Sequence, residues 1–197
     1  MQRITPPYSQ AVLDESDVTV GTVSEILDLG TLPIRASVQF VVTGSAPVKT
    51  FDNEVVAAFT VTLANHGYAT GVEVDYNVDS GITLDNLVDN TNYFVIRLTD
   101  NTFQLAATYA DAIAGTEIEI ADGGAGEFTL TPVAPGGTVK VYGSNDDTNY
   151  TQLDTDTFTA TSSFLQEFPT ISVRYLKLEA NVTAGQIDVQ GIVHTKL

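Results

Sequence analysis

The strongest constraint on the fold is a pair of strand-like segments separated by nearly ninety residues. In residues 34–42 apolar and polar side chains alternate, which is the period-two pattern of a half-buried β-strand. Residues 136–150, GGTVKVYGSNDDTNY, repeat this alternation and then run into an acidic turn. Joined directly, the two segments would make a hairpin. We therefore predict that the residues between them form a second domain, inserted into the hairpin loop.

The composition predicts an all-β protein. Of the 197 residues 43% are hydrophobic, which is enough for a core, and Thr, Val, Asp, Asn and Gly favour strands joined by tight turns. We expect residues 18–46 plus 133–197 to form one β-sandwich of jelly-roll type. Residues 47–132 should form the inserted unit, small, β-rich and mostly antiparallel.

The first seventeen residues are interpreted as an N-terminal arm. Residues 1–17 contain two consecutive prolines, Pro6 and Pro7, and an acidic run from Asp14 to Asp17. Prolines and charges favour an extended segment over a packed element. A strand folded back onto its own domain is an equally good interpretation of the same residues.

The charge excludes several classes of partner. With 25 acidic and 8 basic residues the formal net charge is −17, so the chain repels phosphate backbones and anionic membrane surfaces. We expect neither nucleic acid nor a membrane as a partner. The absence of cysteine excludes disulfides and thiolate metal sites. No apolar run approaches the roughly 18 residues of a membrane span, and the N-terminus lacks the apolar core of a signal peptide, so we expect synthesis in a cytoplasm.

The residues that could carry chemistry are few. The only histidines, His66 and His194, are predicted to be structural or solvent-facing, and no nucleophile, base and orienting acid assemble in the sequence. Residues 145–149, NDDTN, resemble a calcium loop but lack the ligand spacing and final glutamate of an EF-hand, so a turn is favoured over a metal site. We predict that the protein is not an enzyme and has no catalytic residues, no cofactor and no metal.

Three tyrosines in turns are candidates for a sugar-binding surface. Tyr68, Tyr109 and Tyr150 each follow or interrupt a turn signature, where an exposed ring could stack on a sugar. Single aromatic residues at the ends of strands are more often packing residues, and that alternative stays open for all three.

Two groups of motifs resemble known phage proteins. Residues 38–44, VQFVVTG, rejoined to residues 137–150, resemble discoidin-like jelly-roll domains of tailed-phage virion proteins, and residues 173–178, VRYLKL, are similar to a later strand of those domains. Asp147 departs from the pattern, because such loops often have glycine there. The predicted insert resembles a module of phage tail fibres, on the motifs NHGYATG (65–71), NYFVIR (92–97) and NTFQLA (101–106).

The resemblance covers about four-fifths of the chain and implies a setting rather than a mechanism. It implies a non-enzymatic structural component of the virion, with a capsid decoration protein on the outer shell as the leading interpretation. A tail component, such as a fibre or adaptor-associated protein, and a carbohydrate-binding adhesion module are the alternatives. The implied partners are other virion proteins, further copies of the chain and a host-surface glycan. An assembly chaperone that leaves the finished particle is a third class.

Overall fold

A computed structural model describes residues 2–3, 8–30, 34–52, 56–120 and 126–196. These residues form β-strands, with one short helix, α1, at Tyr109–Ala114. In chain order the strands are β1 (Gln2–Arg3), β2 (Tyr8–Val18), β3 (Gly21–Asp28), β4 (Ile34–Gly44), β5 (Lys49–Asp52), β6 (Val56–Ala57), β7 (Thr60–Thr62), β8 (Glu73–Gly81), β9 (Thr91–Thr99), β10 (Thr102–Ala106), β11 (Gly126–Pro132), β12 (Gly136–Ser144), β13 (Thr151–Phe158), β14 (Ser162–Ile171), β15 (Tyr175–Ala184) and β16 (Ile187–Lys196). The predicted all-β class is confirmed.

The chain divides into two compact units. Unit 1 comprises Met1–Gly44, Pro135–Thr183 and Ile187–Leu197, and unit 2 comprises Ser45–Ala134 with Ala184–Gln186. Each unit has its own hydrophobic core.

Unit 1 is a β-sandwich of two sheets. One sheet has the order β1-β3-β15-β12-β13 and the other the order β14-β4-β16-β2. Strands of both sheets turn alternate side chains into one shared core, for example Phe40 of β4, Val141 of β12 and Leu178 of β15, all fully buried. Burying a side chain of this size contributes about 1.5–3 kcal/mol, so the shared core is what holds the two sheets together.

The predicted hairpin between residues 34–42 and 136–150 is wrong. Strand β4 lies in the four-stranded sheet between β14 and β16, whereas β12 lies in the other sheet beside β13 and β15. The segment that leaves β4 therefore returns in the opposite sheet of the sandwich. Alternation shows that a strand is half-buried, but it does not identify the neighbouring strand, because every strand of a sandwich has the same period.

The ends of the two strands nevertheless meet within unit 1. Gly44 closes β4, Pro135 precedes β12, and a methyl group added at Gly44 would lie 3.3 Å from Cγ of Pro135. The backbone N–H of Gly44 also donates to the Thr161 hydroxyl at 3.2 Å. The point where the chain leaves unit 1 is thus adjacent to the point where it re-enters.

Residues 8–17 differ from the predicted N-terminal arm. They belong to β2, which pairs antiparallel with β16, and Leu13 is fully buried in the core of unit 1. The physical reason is that burial of Leu13, Val12 and Val18 lowers the free energy of the folded state. The acidic residues of the strand lie exposed at the sheet edge, so pairing does not remove their charges from water. Residues 19–20 separate β2 from β3. Residues 4–7 of the predicted arm lie outside the described residues.

Unit 2 is built on one seven-stranded sheet with the order β5-β11-β8-β9-β10-β7-β6. Its edge strands are close in sequence, because β5 ends at Asp52 and β6 begins at Val56. Four Cα–Cα steps span at most about 14 Å, whereas the edges of a flat seven-stranded sheet would lie about 29 Å apart. The sheet must therefore curl, and it is nearly closed and barrel-like around a core of buried Tyr, Phe, Leu and Val side chains.

The helix α1 has a complete cap at each end. The hydroxyl of Thr108 accepts a hydrogen bond from the Asp111 N–H, and Gly115 ends the helix in the left-handed conformation with φ of 72°. Strand β10 ends at Ala106, two residues before the cap at Thr108. No helix in the described part of the chain is long and apolar enough to cross a membrane.

Candidate functional site

A group of interacting polar and aromatic side chains lies on the outer face of the five-stranded sheet of unit 1. Val139 and Val141 turn into the core, so the intervening Lys140 and the next residue, Tyr142, point outward. The same alternation in β15 buries Leu176 and Leu178 and places Lys177 and Glu179 outward. Tyr150 joins them from the turn before β13. These five outward residues, Lys140, Tyr142, Tyr150, Lys177 and Glu179, are called the outer-face cluster.

Glu179 is the centre of this cluster. Its Oε1 accepts a hydrogen bond from the Tyr142 hydroxyl at 3.1 Å and lies 3.8 Å from Nζ of Lys140. Its Oε2 accepts from Nζ of Lys177 at 3.0 Å. One carboxylate therefore holds two ammonium groups and a phenol on a partly covered surface.

The ammonium group of Lys177 also lies over two aromatic rings. Nζ is 4.4 Å from the ring centroid of Tyr142 and 5.7 Å from that of Tyr150, both within cation–π range. Lys177 thus covers one face of the Tyr142 ring. The Tyr150 hydroxyl donates to Asp147 at 2.5 Å, and burial first, then this hydrogen bond, raises the pKa of Tyr150 above its ordinary value. The cluster is a network in which charged and aromatic groups pair with one another.

The acidic turn next to the cluster is closed by its own hydrogen bonds. Asp146 accepts from the backbone N–H groups of Asn149 and Thr148 at 2.8 and 3.0 Å, from the Asn149 side chain at 2.7 Å and from the Ser144 hydroxyl at 2.8 Å. These bonds, led by the one from the Asn149 backbone, hold the pKa of Asp146 well below its usual range. Because protein donors already surround the carboxylate, residues 145–149 have the arrangement of a turn.

A second ion pair fixes the start of β15. Arg174 donates through Nε and Nη2 to the two carboxylate oxygens of Asp28, at 3.2 and 3.0 Å. Asp28 is 6% exposed, and the hydrogen bonds it accepts raise the pKa of Arg174. The Leu29 N–H donates to the Arg174 carbonyl at 2.7 Å, so the pair fastens the end of β3 to the segment that enters β15.

His66 is a core residue of unit 2. It is fully buried, with ring centroids 5.5 Å from Tyr68 and 5.1 Å from Phe103. Nδ1 accepts from the Tyr68 backbone N–H at 3.1 Å, which places the proton of the neutral ring on Nε2, and Nε2 donates to the Thr99 carbonyl at 2.8 Å. Both ring nitrogens thus hold the backbone together. His194 is half-buried in β16 of unit 1.

The three tyrosines proposed for sugar stacking have different surroundings. Tyr68 is 1% exposed in the core of unit 2, and burial raises its pKa, so the sugar-stacking hypothesis is wrong for this residue. Tyr109 is half-buried at the first position of α1, with its ring edge-on to Phe94 at 6.2 Å. Tyr150 belongs to the outer-face cluster. The structure does not bring the three together.

The cluster itself was not predicted from the sequence. Tyr142 and Lys177 are 35 residues apart and meet only because β12 and β15 are neighbours in the sheet. The signal available in the sequence was the alternation within each strand. Lys140 and Tyr142 alternate with valines in β12, and Lys177 and Glu179 alternate with leucine and alanine in β15. Among the described residues there is no group of three or more His, Cys, Asp or Glu side chains arranged to hold a metal ion.

Comparison with known proteins assigns neither a family nor a function to the chain. No family model matches the chain, and no curated protein matches it. A crystal structure of a protein from Sulfurospirillum deleyianum is similar over 95% of this chain and 97% of that chain, at 9% sequence identity and a TM-score of 0.31. A similarity this weak carries no argument about fold or function.

Proposed function

We propose that this protein is a non-enzymatic structural component of a tailed-phage particle, and that it decorates the outer shell of the capsid. The observation that supports the proposal is the structural role of the residues that resemble phage virion proteins. Residues 143–150 of the first motif form a hydrogen-bonded turn around Asp146. Residues 65–71 of the second motif contain His66 and Tyr68, which are buried and hydrogen-bonded to each other. These motifs therefore specify architecture, which is what a protein that acts through its surfaces requires.

The net charge supports a position on the outside of the particle. A chain of −17 is repelled by packaged DNA, so an outward-facing site is electrostatically favoured. The outer-face cluster contains two of the 8 basic residues, and a third, Arg174, lies three residues before Lys177, with its guanidinium over the Tyr175 ring. It supplies tyrosine, lysine and carboxylate groups, the mixture of aromatic and charged groups common in protein interfaces.

The same proposal includes the finer architecture: unit 1 is a jelly-roll sandwich and unit 2 is a domain inserted between Gly44 and Pro135. The contact between these two residues supports it, because an insertion of this kind needs its flanking ends to meet. Replacing 45–134 with a short glycine linker should leave a folded, β-rich protein with a cooperative thermal transition. A product without near-UV circular dichroism or dispersed amide resonances would count against the insertion.

Quantitative mass spectrometry of purified particles tests the function. For a decoration protein we expect on the order of hundreds of copies in each particle, because a closed shell offers many equivalent sites. A number of about six to a few dozen would favour the tail component instead, since the tail has low rotational symmetry. Absence from finished particles would favour an assembly chaperone.

Screens for activity and for sugar binding test the remaining alternative. Turnover of any glycan, or saturable binding on a glycan array, would favour an adhesion module over a decoration protein. The position of Lys177 over the Tyr142 ring supports the expectation of no binding through that ring.

A further inference from the structure

The edges of the sheets differ in how well they are protected against pairing with another strand. An edge strand presents unpaired N–H and C=O groups, and proteins protect such edges by shortness, bulges or charges. Strands β1, β5 and β6 are four residues long or shorter. Strand β2 has two register shifts against β16 and carries exposed acidic residues, among them Asp14 and Glu15.

Strand β13 is protected in a different way. Its register against β12 shifts next to Leu153, which is a bulge, and the carboxylate of Asp154 accepts a hydrogen bond from the Thr155 N–H at 2.8 Å. A donor of this edge strand is thus already occupied by the strand's own side chain, and the bulge interrupts any ladder that a partner could form.

Strand β14 is protected only near one end, where its register against β4 shifts between Phe168 and Ile171, beside Pro169. It forms one edge of the four-stranded sheet, and no described strand lies on its other side. Seven consecutive residues, from Ser162 opposite Val42 to Phe168 opposite Ala36, pair with β4 without a register shift. Every second residue of such a strand turns its N–H and C=O away from β4. The centre of the stretch, Leu165, is 62% exposed, and Glu167 is its only charged residue.

We propose that β14 is a self-association edge, at which two copies of this chain pair their β14 strands antiparallel about a two-fold axis at Leu165. A second copy fits this edge because the same strand offers the same seven unshifted residues in the antiparallel sense. The pairing places Glu167 of each copy opposite the uncharged Ser163 of the other, so no like charges face each other across the two strands. Leu165 then meets Leu165 on the outer face, and the two four-stranded sheets become continuous. This pairing involves only two copies of the chain, so purified protein tests it whether or not the proposed function is correct.

Single cysteines test this pairing, since the chain has no cysteine of its own. Residues directly opposite in an antiparallel pair have Cα atoms about 4.5–5.5 Å apart, within disulfide range, so L165C should oxidise to a covalent dimer. In the same register the two copies of residue 163 lie about 14 Å apart, so S163C should remain monomeric. L153C is the matched control, because Leu153 is also exposed, at 40%, on the bulged edge strand β13.

Sedimentation equilibrium gives the independent readout. The wild-type chain should show reversible dimerisation, and L165K should be monomeric with an unchanged circular dichroism spectrum, because it places two ammonium groups opposite each other. Disulfide formation by L165C no faster than by L153C, or a wild-type chain that stays monomeric at every concentration, would overturn the proposal. Oxidation of S163C as fast as L165C would overturn the register.

Discussion

Replacing His66 by alanine should destabilise unit 2 strongly. The change removes the acceptor for the Tyr68 N–H, which is left buried without a partner, and the donor to the carbonyl of Thr99, an exposed residue. The orphaned N–H costs about 1–3 kcal/mol and the lost bond to Thr99 about 0.5–1.5 kcal/mol, and loss of a ring packed on Tyr68 and Phe103 adds a cavity. Because such costs overlap, we expect a total of about 3–5 kcal/mol.

Two further variants separate the causes. H66F keeps an aromatic ring but makes neither hydrogen bond. It should therefore lower the free energy of unfolding by about 2–4 kcal/mol, which is the contribution of the hydrogen bonds without that of the cavity. H194A is the matched control: His194 is half-buried in β16 of unit 1, and we expect a change below about 1 kcal/mol.

Urea unfolding followed by circular dichroism measures the free energies, and hydrogen–deuterium exchange locates the loss. Exchange should accelerate in β7, β9 and β10 of unit 2, which contact His66 or lie beside it. A loss below about 1 kcal/mol for H66A would refute the conclusion that His66 holds this core together.

Three further predictions concern unit 1. R174A should lower the midpoint of urea unfolding, because it leaves the buried Asp28 carboxylate without its cation, and R174K should restore only part of the loss since lysine cannot bind both oxygens. D146N should lower the melting temperature at neutral pH. Because the pKa of Asp146 is depressed in the folded state, the difference in melting temperature from wild type should shrink as pH falls below about 4, the ordinary pKa of aspartate. A difference that does not change with pH would contradict the reasoning. G137A should cost about 3 kcal/mol or prevent folding, because the added methyl would collide with the Asn181 carbonyl and the Phe158 ring, and an unaltered thermal melt would exclude this packing.

The sequence was sufficient to identify most strands and turns, because these depend on local chemistry. Alternation located β4 and β12, and residues 145–149 form the turn that their composition predicts. Strand β14 was missed, since the polar Gln166 interrupts its inward apolar row and Pro169 lies near its end.

Pairing between distant strands was not predictable. The predicted β4–β12 hairpin failed because neighbours in a sandwich are chosen by the packing of the whole core. The outer-face cluster was missed for the same reason, since it depends on β12 lying beside β15. The role of His66 as a structural residue was predicted, but its partners, Thr99 and Tyr68, follow from the turn geometry of unit 2.

The measurement that tests the proposed function most directly is a cryo-electron microscopy reconstruction of the phage particle in which we propose that this chain resides. The proposal predicts density for this β-rich protein at symmetry-equivalent positions on the outer surface of the head. Density confined to the tail, or a head surface with none that fits the two units, would contradict it.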